Sequence, residues 1–338
     1  MGGCGSIVRH SFKHTRAAMI DKLEYILALA REKHFSRAAE GCHVSQPTFS
    51  AGIKQLEEMF GVLLVQRGSR FRGFTPEGER VLEWARRIVG DARAMKQDID
   101  ALKRGLAGHI KIAAIPTALA MTAMLTTPYR ARHPDVRFSI VSTTSIEILR
   151  LLDNLEVDAG LTYLDNEPVG RVNTVPLYLE EYRLLTSPTG TLGDRQRVTW
   201  AEVGDIPLCL LTPDMQNRRI IDGLLRSAGR EPSPTLESNS MIVLFAHVRT
   251  GKWASIMPAK LAETLGLTDN VRSIPIVEPA ATHTVGLVVP HREPMTPLIT
   301  ALVVEGRQLA AELARSNMQA AAMPEKPARR EKRATKKS

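Results

Sequence analysis

The sequence predicts a multidomain α/β chain: a small helical domain closed by a basic hairpin, one long connecting helix, and a larger half in which strands and helices alternate. Three observations carry this. Residues 35–78 hold two short helix patterns joined by a tight turn and followed by an arginine-rich loop. Residues 79–105 contain no proline and repeat an apolar residue every three or four positions. Residues 109–316 alternate short apolar runs with helical patterns, which builds mostly parallel sheets with crossover helices.

The first 18 residues have no apolar stretch of the kind a secretory signal needs. Gly2 and Ser6 match a loose myristoylation pattern, but the reading adopted is a disordered extension over 1–18, with Met19 as an alternative start. Leu23, Ile26, Leu27 and Ala30 then follow helical spacing. Ser36 is expected to cap a short helix carrying Ala38 and Ala39, whose small side chains admit a second helix. Gly41 to Val44 form the turn, and Ser45 caps the next helix through its hydroxyl. Pro47 falls in the first turn, where a missing N–H costs little. Ile53, Leu56 and Met59 are expected to face inward. That leaves Gln46, Thr48, Ser50 and Lys54 outward on the N-terminal half. Glutamine can bond adenine bidentately, and serine or threonine can reach a base or a phosphate; this is how a recognition helix docks.

Two ordinary packed helices would show the same periodicity. The order of the pieces separates the readings. After Gly61 come Leu63-Leu64-Val65, then Arg67, Arg70 and Arg72 with no acid between Met59 and Pro76, then Thr75-Pro76-Glu77-Gly78. That is a hairpin wing suited to phosphates. The segment from Leu23 to Gly78 resembles the winged helix-turn-helix of the LysR-type transcriptional regulators. The matching residues are Phe35-Ser-Arg-Ala-Ala39, Val44-Ser-Gln-Pro47, Ser50, Ile53-Lys-Gln-Leu-Glu57, Gly61, Leu64, Arg67 and Thr75 to Gly78. The family places an arginine and a polar residue after the serine; here they are Ala51 and Gly52. Gly52 is expected to cost the helix about 1 kcal/mol relative to alanine.

Residues 79–105 form the connecting helix. Val81, Ala85, Ile88, Ala92, Met95, Ile99 and Leu102 are spaced 4, 3, 4, 3, 4, 3, a heptad seam on a helix otherwise rich in charge. The stripe could pack on its own domain; its narrowness favours a coiled-coil dimer.

In the larger half, strands are expected at His109–Ile115, Arg137–Val141, Val157–Tyr163, Tyr182–Thr186, Leu208–Leu211, Trp253–Met257 and His283–Val289. Helices are expected at Thr144–Leu155, Asp214–Ala228 and Met241–Thr250. The resemblance continues here, more loosely. It implies a two-lobed effector domain like a periplasmic binding protein, with lobe one at 109–181 and 284–316 and lobe two at 182–283. Val248 to Pro258 carries the family's Val-x-x-Gly run, with Trp253 in place of the second glycine.

No nucleophile elbow, phosphate loop, dinucleotide fingerprint or His-Glu-x-x-His stands in the sequence. No enzymatic activity, cofactor or metal is therefore expected. What the larger half offers is hydroxyls at strand ends. Thr117 follows the first strand, and Thr143, Thr144 and Ser145 lie between a strand and a helix N-terminus, where free N–H groups attract anions. In open α/β sheets, ligands sit at the carboxyl ends of strands. Helix capping needs the same residue types; the resemblance favours a cleft, with Thr162 and the Thr212–Asn217 loop closing it.

Composition bounds the rest. The net charge is +9, of which the run 325–337, with seven basic and two acidic residues, supplies five. The end, 317–338, reads as a basic disordered tail. Residues 20–77 hold eight basic and seven acidic residues, so DNA contact there depends on which face carries the charge. Cys4, Cys42 and Cys209 are few and far apart, which points to a reducing compartment and hence the cytoplasm. No window approaches a membrane span. The resemblance implies a homo-oligomer, dimer or tetramer, that binds double-stranded promoter DNA and a small-molecule effector and works with RNA polymerase. Within the family the chain is most similar to regulators encoded beside formate dehydrogenase operons, on the stretch Leu210–Asp222. Formate or another small carboxylate is the implied effector. A solute-binding protein or an enzyme on a two-lobed fold are the competing classes; sequence-selective retention on duplex DNA separates them.

Overall fold

The computed structural model describes residues 7–66, 68, 71–266 and 270–322. The chain opens with α1 (Ile7–Glu32), which begins well before Met19. Nothing between Ile7 and the turn at Lys33 breaks a helix, since the first glycine after Gly5 is Gly41 and no proline precedes Pro47. α2 (Phe35–Gly41) and α3 (Gln46–Phe60) follow. An antiparallel bridge from Val65 to Phe74 forms the base of the wing. α4 (Pro76–Arg104) is capped by Thr75, whose hydroxyl accepts from Gly78 N and donates to Leu63 O. Leu23, Ile26, Leu29, Phe49, Leu56, Leu64, Leu82, Ala85 and Val89 make one core. The first half of α4 is therefore part of the winged-helix domain, not only a connector.

Lobe one is built from β1 (Gly108–Ala114), α5 (Thr122–Arg132), β2 (Val136–Ser142), α6 (Ser145–Asp153) and β3 (Ala159–Tyr163). The 15-residue β4 (Val172–Thr186) crosses to lobe two. There follow β5 (Val198–Thr199), α7 (Trp200–Gly204), β6 (Cys209–Leu211), α8 (Gln216–Ser227), β7 (Leu236–Ser238) and α9 (Met241–Val248). The second lobe ends in β8 (Ser255–Pro258), α10 (Ala259–Leu265) and β9 (Arg272–Val277). β10 (Thr282–Pro290) returns to lobe one, and α11 (Pro297–Ala322) closes the described chain, running past residue 316 into the expected tail.

The main sheet has the order β2-β1-β3-β10-β4-β9-β5, with β8 also on β4. β1 pairs in parallel with β2 and β3, whereas β10 runs antiparallel to both β3 and β4. The sheet is thus mixed rather than mostly parallel, because β10, returning from lobe two, runs opposite to both β3 and β4. β4 begins ten residues before the expected Tyr182. Pro176 and the pair Glu180-Glu181 hide the strand pattern, although Tyr178, Glu180, Tyr182 and Leu184 all point into the interior with period two.

Candidate DNA-binding and effector sites

In α3, Ser45 is the N-cap; its hydroxyl accepts from Thr48 N at 3.3 Å and shares a 2.8 Å contact with the Thr48 hydroxyl. Pro47 sits in the first turn. Gln46, Pro47, Thr48 and Lys54 are exposed and Ser50 is half-buried, all on the outer side of the helix. Lys54 also lies 3.7 Å from Glu58. Ser36 does not cap α2. His34 holds the cap position without a side-chain bond, and the Ser36 hydroxyl instead donates to Gln46 Oε1 at 3.0 Å. Phe35 starts α2, two residues earlier than a Ser36 cap would give, and its ring turns inward, edge-on to Phe49. Met59 is 43% exposed, so it does not face inward as its spacing suggested; Phe49 fills the core instead.

Gly52 has a physical reason to be glycine. A Cβ there would lie 2.6 Å from the Tyr25 ring, which stacks on Phe49 with centroids 5.0 Å apart. The wing is held by Glu57, whose Oε1 accepts from Leu64 N and Val65 N at 2.9 and 3.2 Å. Arg72 is exposed beside the bridge; Arg67 and Arg70 lie outside the described residues.

The expected dimer seam on α4 divides. Ala85 is fully buried against the winged-helix core and Val81 is partly buried there. Ile88, Met95, Ile99 and Leu102 are exposed, at 37, 67, 46 and 80%, with Ala92 half-buried between them. Trp84, 52% exposed, continues that stripe toward the helix start in place of Ala85. Its position four residues before Ile88 was the available signal.

In the larger half, Thr117, Ser145 and Thr162 come together at the carboxyl ends of β1, β2 and β3. The register brackets them: Ala114 lies opposite Ser142 and Leu161, Thr143 N donates to Ala114 O at 3.0 Å, and Ile115 N donates to Leu161 O at 3.0 Å. All three are buried, and none of their hydroxyls has a hydrogen-bond partner among the described residues. Thr143 is half-buried beside them. Thr144 is the α6 N-cap, accepting from Glu147 N at 3.2 Å, so capping occupies the hydroxyl that a ligand was expected to meet.

Asn217 reaches the end of β3 from lobe two. Its Nδ2 donates to the Tyr163 hydroxyl at 3.0 Å, and that hydroxyl donates to Glu180 Oε1. Gln216 Nε2 donates to Asp165 O at 3.2 Å, and Arg219 forms a two-pronged bond with Glu167 at 2.8 Å on each side. Three side chains of the first turn of α8 thus clasp residues 163–167 of lobe one. Arg218, buried, pairs with Asp222 and Glu237 and donates to Leu211 O at 2.7 Å, which fixes that turn to β6 and β7. Burial pushes the Glu180 carboxyl up to about 8; the hydrogen bonds from Tyr163 and Asn217 oppose this only in part. Sequence reasoning named Thr117, Ser145, Thr162 and Asn217 as candidates and did not single out Tyr163 or Glu180. Cys209 is fully buried, donates to the Leu244 and Ala254 carbonyls, and has its thiol pushed up to about 11 by burial.

Comparison with known proteins decides the family. Residues 20–79 match the bacterial regulatory helix-turn-helix protein, lysR family, and residues 103–311 match the LysR substrate binding domain. The chain belongs to the LysR family. It is a DNA-binding transcriptional regulator with a helix-turn-helix and a two-lobed effector-binding domain. Among LysR relatives, a hydrogen peroxide-inducible genes activator of Dickeya chrysanthemi is 28% identical over 271 residues, covering 80% of this chain and 88% of the relative. The dual regulator OxyR of Escherichia coli K12 is 28% identical over 278 residues, with 80% and 88% covered. Full-length OxyR from Pseudomonas aeruginosa, solved as a cysteine-to-aspartate variant, has a TM-score of 0.68 at 26% identity, covering 86% of this chain and 99% of that structure. CbnR shares the fold at a TM-score of 0.57 and 22% identity. No described helix is long and apolar enough to cross a membrane.

Proposed function

We propose that this LysR-family regulator binds promoter DNA as a homo-oligomer and responds to a small anion held between its lobes. The observation that carries the effector reading is the convergence of three buried, unpartnered hydroxyls, Thr117, Ser145 and Thr162, at the carboxyl ends of three neighbouring strands. That is where ligands of open α/β sheets bind. The N-terminus of α6 adds free N–H groups. A small carboxylate suits this set, formate being the smallest. The likeness of Leu210–Asp222 to regulators beside formate dehydrogenase operons supports the same class.

On the DNA side, Gln46, Thr48, Ser50 and Lys54 face outward for the major groove, and Arg67, Arg70 and Arg72 grip phosphates. The stripe Trp84, Ile88, Met95, Ile99 and Leu102 pairs two chains. Contact with RNA polymerase completes the reading of a transcription factor. Neither described cysteine offers a reactive thiol for a response to hydrogen peroxide, the inducer that the names of several relatives carry. Reactive cysteines have lowered pKa values and are accessible, whereas burial raises both Cys209 and Cys42.

Calorimetric titration of small carboxylates into the full chain tests the effector reading. Thr117→Val should abolish binding while leaving thermal stability unchanged. Thr144→Val should lower stability through the lost cap, by about 1 kcal/mol. A Thr117→Val variant that folds and still responds to effector like the parent places the ligand elsewhere. For the wing, Arg72→Ala should weaken specific and random DNA alike and make the salt slope shallower by about one; a change confined to one base position refutes the phosphate role.

A further inference from the structure

Gln46 is the first residue of α3 and is exposed. Its amide has two faces: Oε1 accepts, and Nε2 carries two donors. Bidentate pairing with adenine needs both, since adenine offers an acceptor at N7 and a donor at N6. In this chain one face is taken. The Ser36 hydroxyl donates to Gln46 Oε1 at 3.0 Å, and Nε2 bonds to nothing among the described residues. The hydroxyl comes from α2, whose place is fixed by packing. Phe35, next to Ser36, lies edge-on to Phe49, and Ala38 and Ala39 are buried in the winged-helix core. The turn from α2 to α3 is closed by Cys42 N on Ala38 O and Val44 N on Ala39 O, both at 3.1 Å. Packed backbone thus brings Ser36 and Gln46 together. The neighbouring donors are engaged elsewhere: Arg37 donates to Glu32 O at 2.8 Å, and the Ser45 and Thr48 hydroxyls bond each other at 2.8 Å.

We propose that Ser36 determines specificity: by holding Gln46 Oε1 it leaves the amide a donor only, and Gln46 reads guanine, through N7 and O6, in place of adenine. This rests on the reading of α3 as the recognition helix given under Proposed function, and it replaces the adenine pairing expected from glutamine alone. Guanine is the base with two neighbouring acceptors on its major-groove edge, and one nitrogen can serve both, as that of lysine does. Adenine is disfavoured, because its N6 hydrogens would face those of the amide. Cytosine, which offers a donor, is refused on the same ground; thymine O4 meets one N–H and leaves the other unpaired. To take adenine, Gln46 must give up Ser36, and the loss of one neutral hydrogen bond is about two- to tenfold in base preference.

The test is in vitro selection from randomised duplex DNA with the full chain, run in parallel on the parent, Gln46→Ala, Ser36→Ala and Ser36→Thr. The base pair whose preference Gln46→Ala removes is the one Gln46 reads. The parent should select guanine–cytosine there, and 7-deazaguanine, which lacks N7, should weaken binding at that pair. Ser36→Ala frees Oε1 and should raise adenine against guanine about two- to tenfold at that pair alone, while Ser36→Thr keeps the hydroxyl and the parent's choice. A thermal melt checks each fold; Gln46→Ala and the 7-deazaguanine duplex suffice should Ser36→Ala not fold. An adenine–thymine pair at that place in the parent, a guanine that tolerates 7-deaza substitution, or a folded Ser36→Ala protein with the parent's choice each overturns the proposal and leaves α3 as the recognition helix. If Gln46→Ala changes no position, Gln46 leaves the readout and the proposal falls with it. If the parent selects no sequence, the DNA reading of α3 falls as well.

Discussion

Replacing Gly52 by alanine should destabilise the winged helix, against the expectation from helix propensity. Glycine to alanine inside an exposed helix gains about 1 kcal/mol. At this position the new methyl would sit 2.6 and 2.7 Å from two carbons of the Tyr25 ring. Normal carbon contact is about 3.5–4.0 Å, so the ring or α3 must move by about 1 Å. Overpacking of this kind costs about 1–3 kcal/mol, and displacing Tyr25 weakens its 5.0 Å stack on Phe49, worth about 0.5–1.5 kcal/mol more. The losses exceed the gain, for a net of about 1–3 kcal/mol. Urea denaturation of the full chain, read on the first transition, measures it. Tyr25→Ala in the same background should recover the propensity gain, because the clash partner is gone. A Gly52→Ala protein more stable than the parent would show that the ring yields freely and refute the packing argument.

Three further outcomes are expected. Gln46→Ala should lose about 1–3 kcal/mol of specific operator binding if both amide atoms meet one base, while Ser36→Ala, which frees Gln46 Oε1, should lose less; equal footprints for Gln46→Ala and the parent would remove Gln46 from readout. Ile99→Asp should leave a single chain folded, since Ile99 is 46% exposed, yet place an unpaired charge in the paired stripe and break dimers; unchanged mass by light scattering would count against pairing there. For Glu180, the native carboxyl keeps its proton up to about pH 8 while the unfolded one loses it near 4.5, so the native state binds more protons in between and stability falls as pH rises across that window. Glu180→Gln should flatten that fall between pH 5 and 8, seen as a thermal midpoint less sensitive to pH than the parent's.

The recognition helix was legible because its signals are local. A capping serine, a proline in the first turn and inward residues at helical spacing need no tertiary information, and the structure bears out the Ser45 cap. Ser36 failed because Phe35 pairs edge-on with Phe49, which pulls the helix start two residues earlier; aromatic packing overrode a capping preference. α5 left no trace, since Pro128 and three threonines break its pattern and only Thr122, Leu125 and Tyr129 are buried. The seam was legible as a period but not as a phase. Which residues of a heptad face the chain's own domain depends on where α1 lies, and α1 takes Ala85 inward and leaves Trp84 out. The hydroxyls were legible at strand ends, whereas Glu180 was not, because a glutamate in an unrecognised strand has no readable face.

The clasp between the lobes and the unpaired atoms of lobe one belong to one balance. Asn217, Gln216 and Arg219 hold lobe two on residues 163–167 through direct bonds, so the closed arrangement has contacts of its own. Against it stand the unpaired hydroxyls of Thr117, Ser145 and Thr162, each costing about 1–3 kcal/mol if nothing meets it. A ligand that meets them stabilises the closed arrangement without making any new bond between the lobes. It can bias the equilibrium only by that differential affinity, and a coupling of about 1–3 kcal/mol is the usual scale for changing a distant site. Two or three of these atoms suffice for that. Arg219 then sets the resting balance from outside the cleft: Arg219→Ala removes a clasp that touches none of the unpaired atoms, so it should shift the chain toward open lobes and weaken effector affinity even though every ligand-facing group is intact.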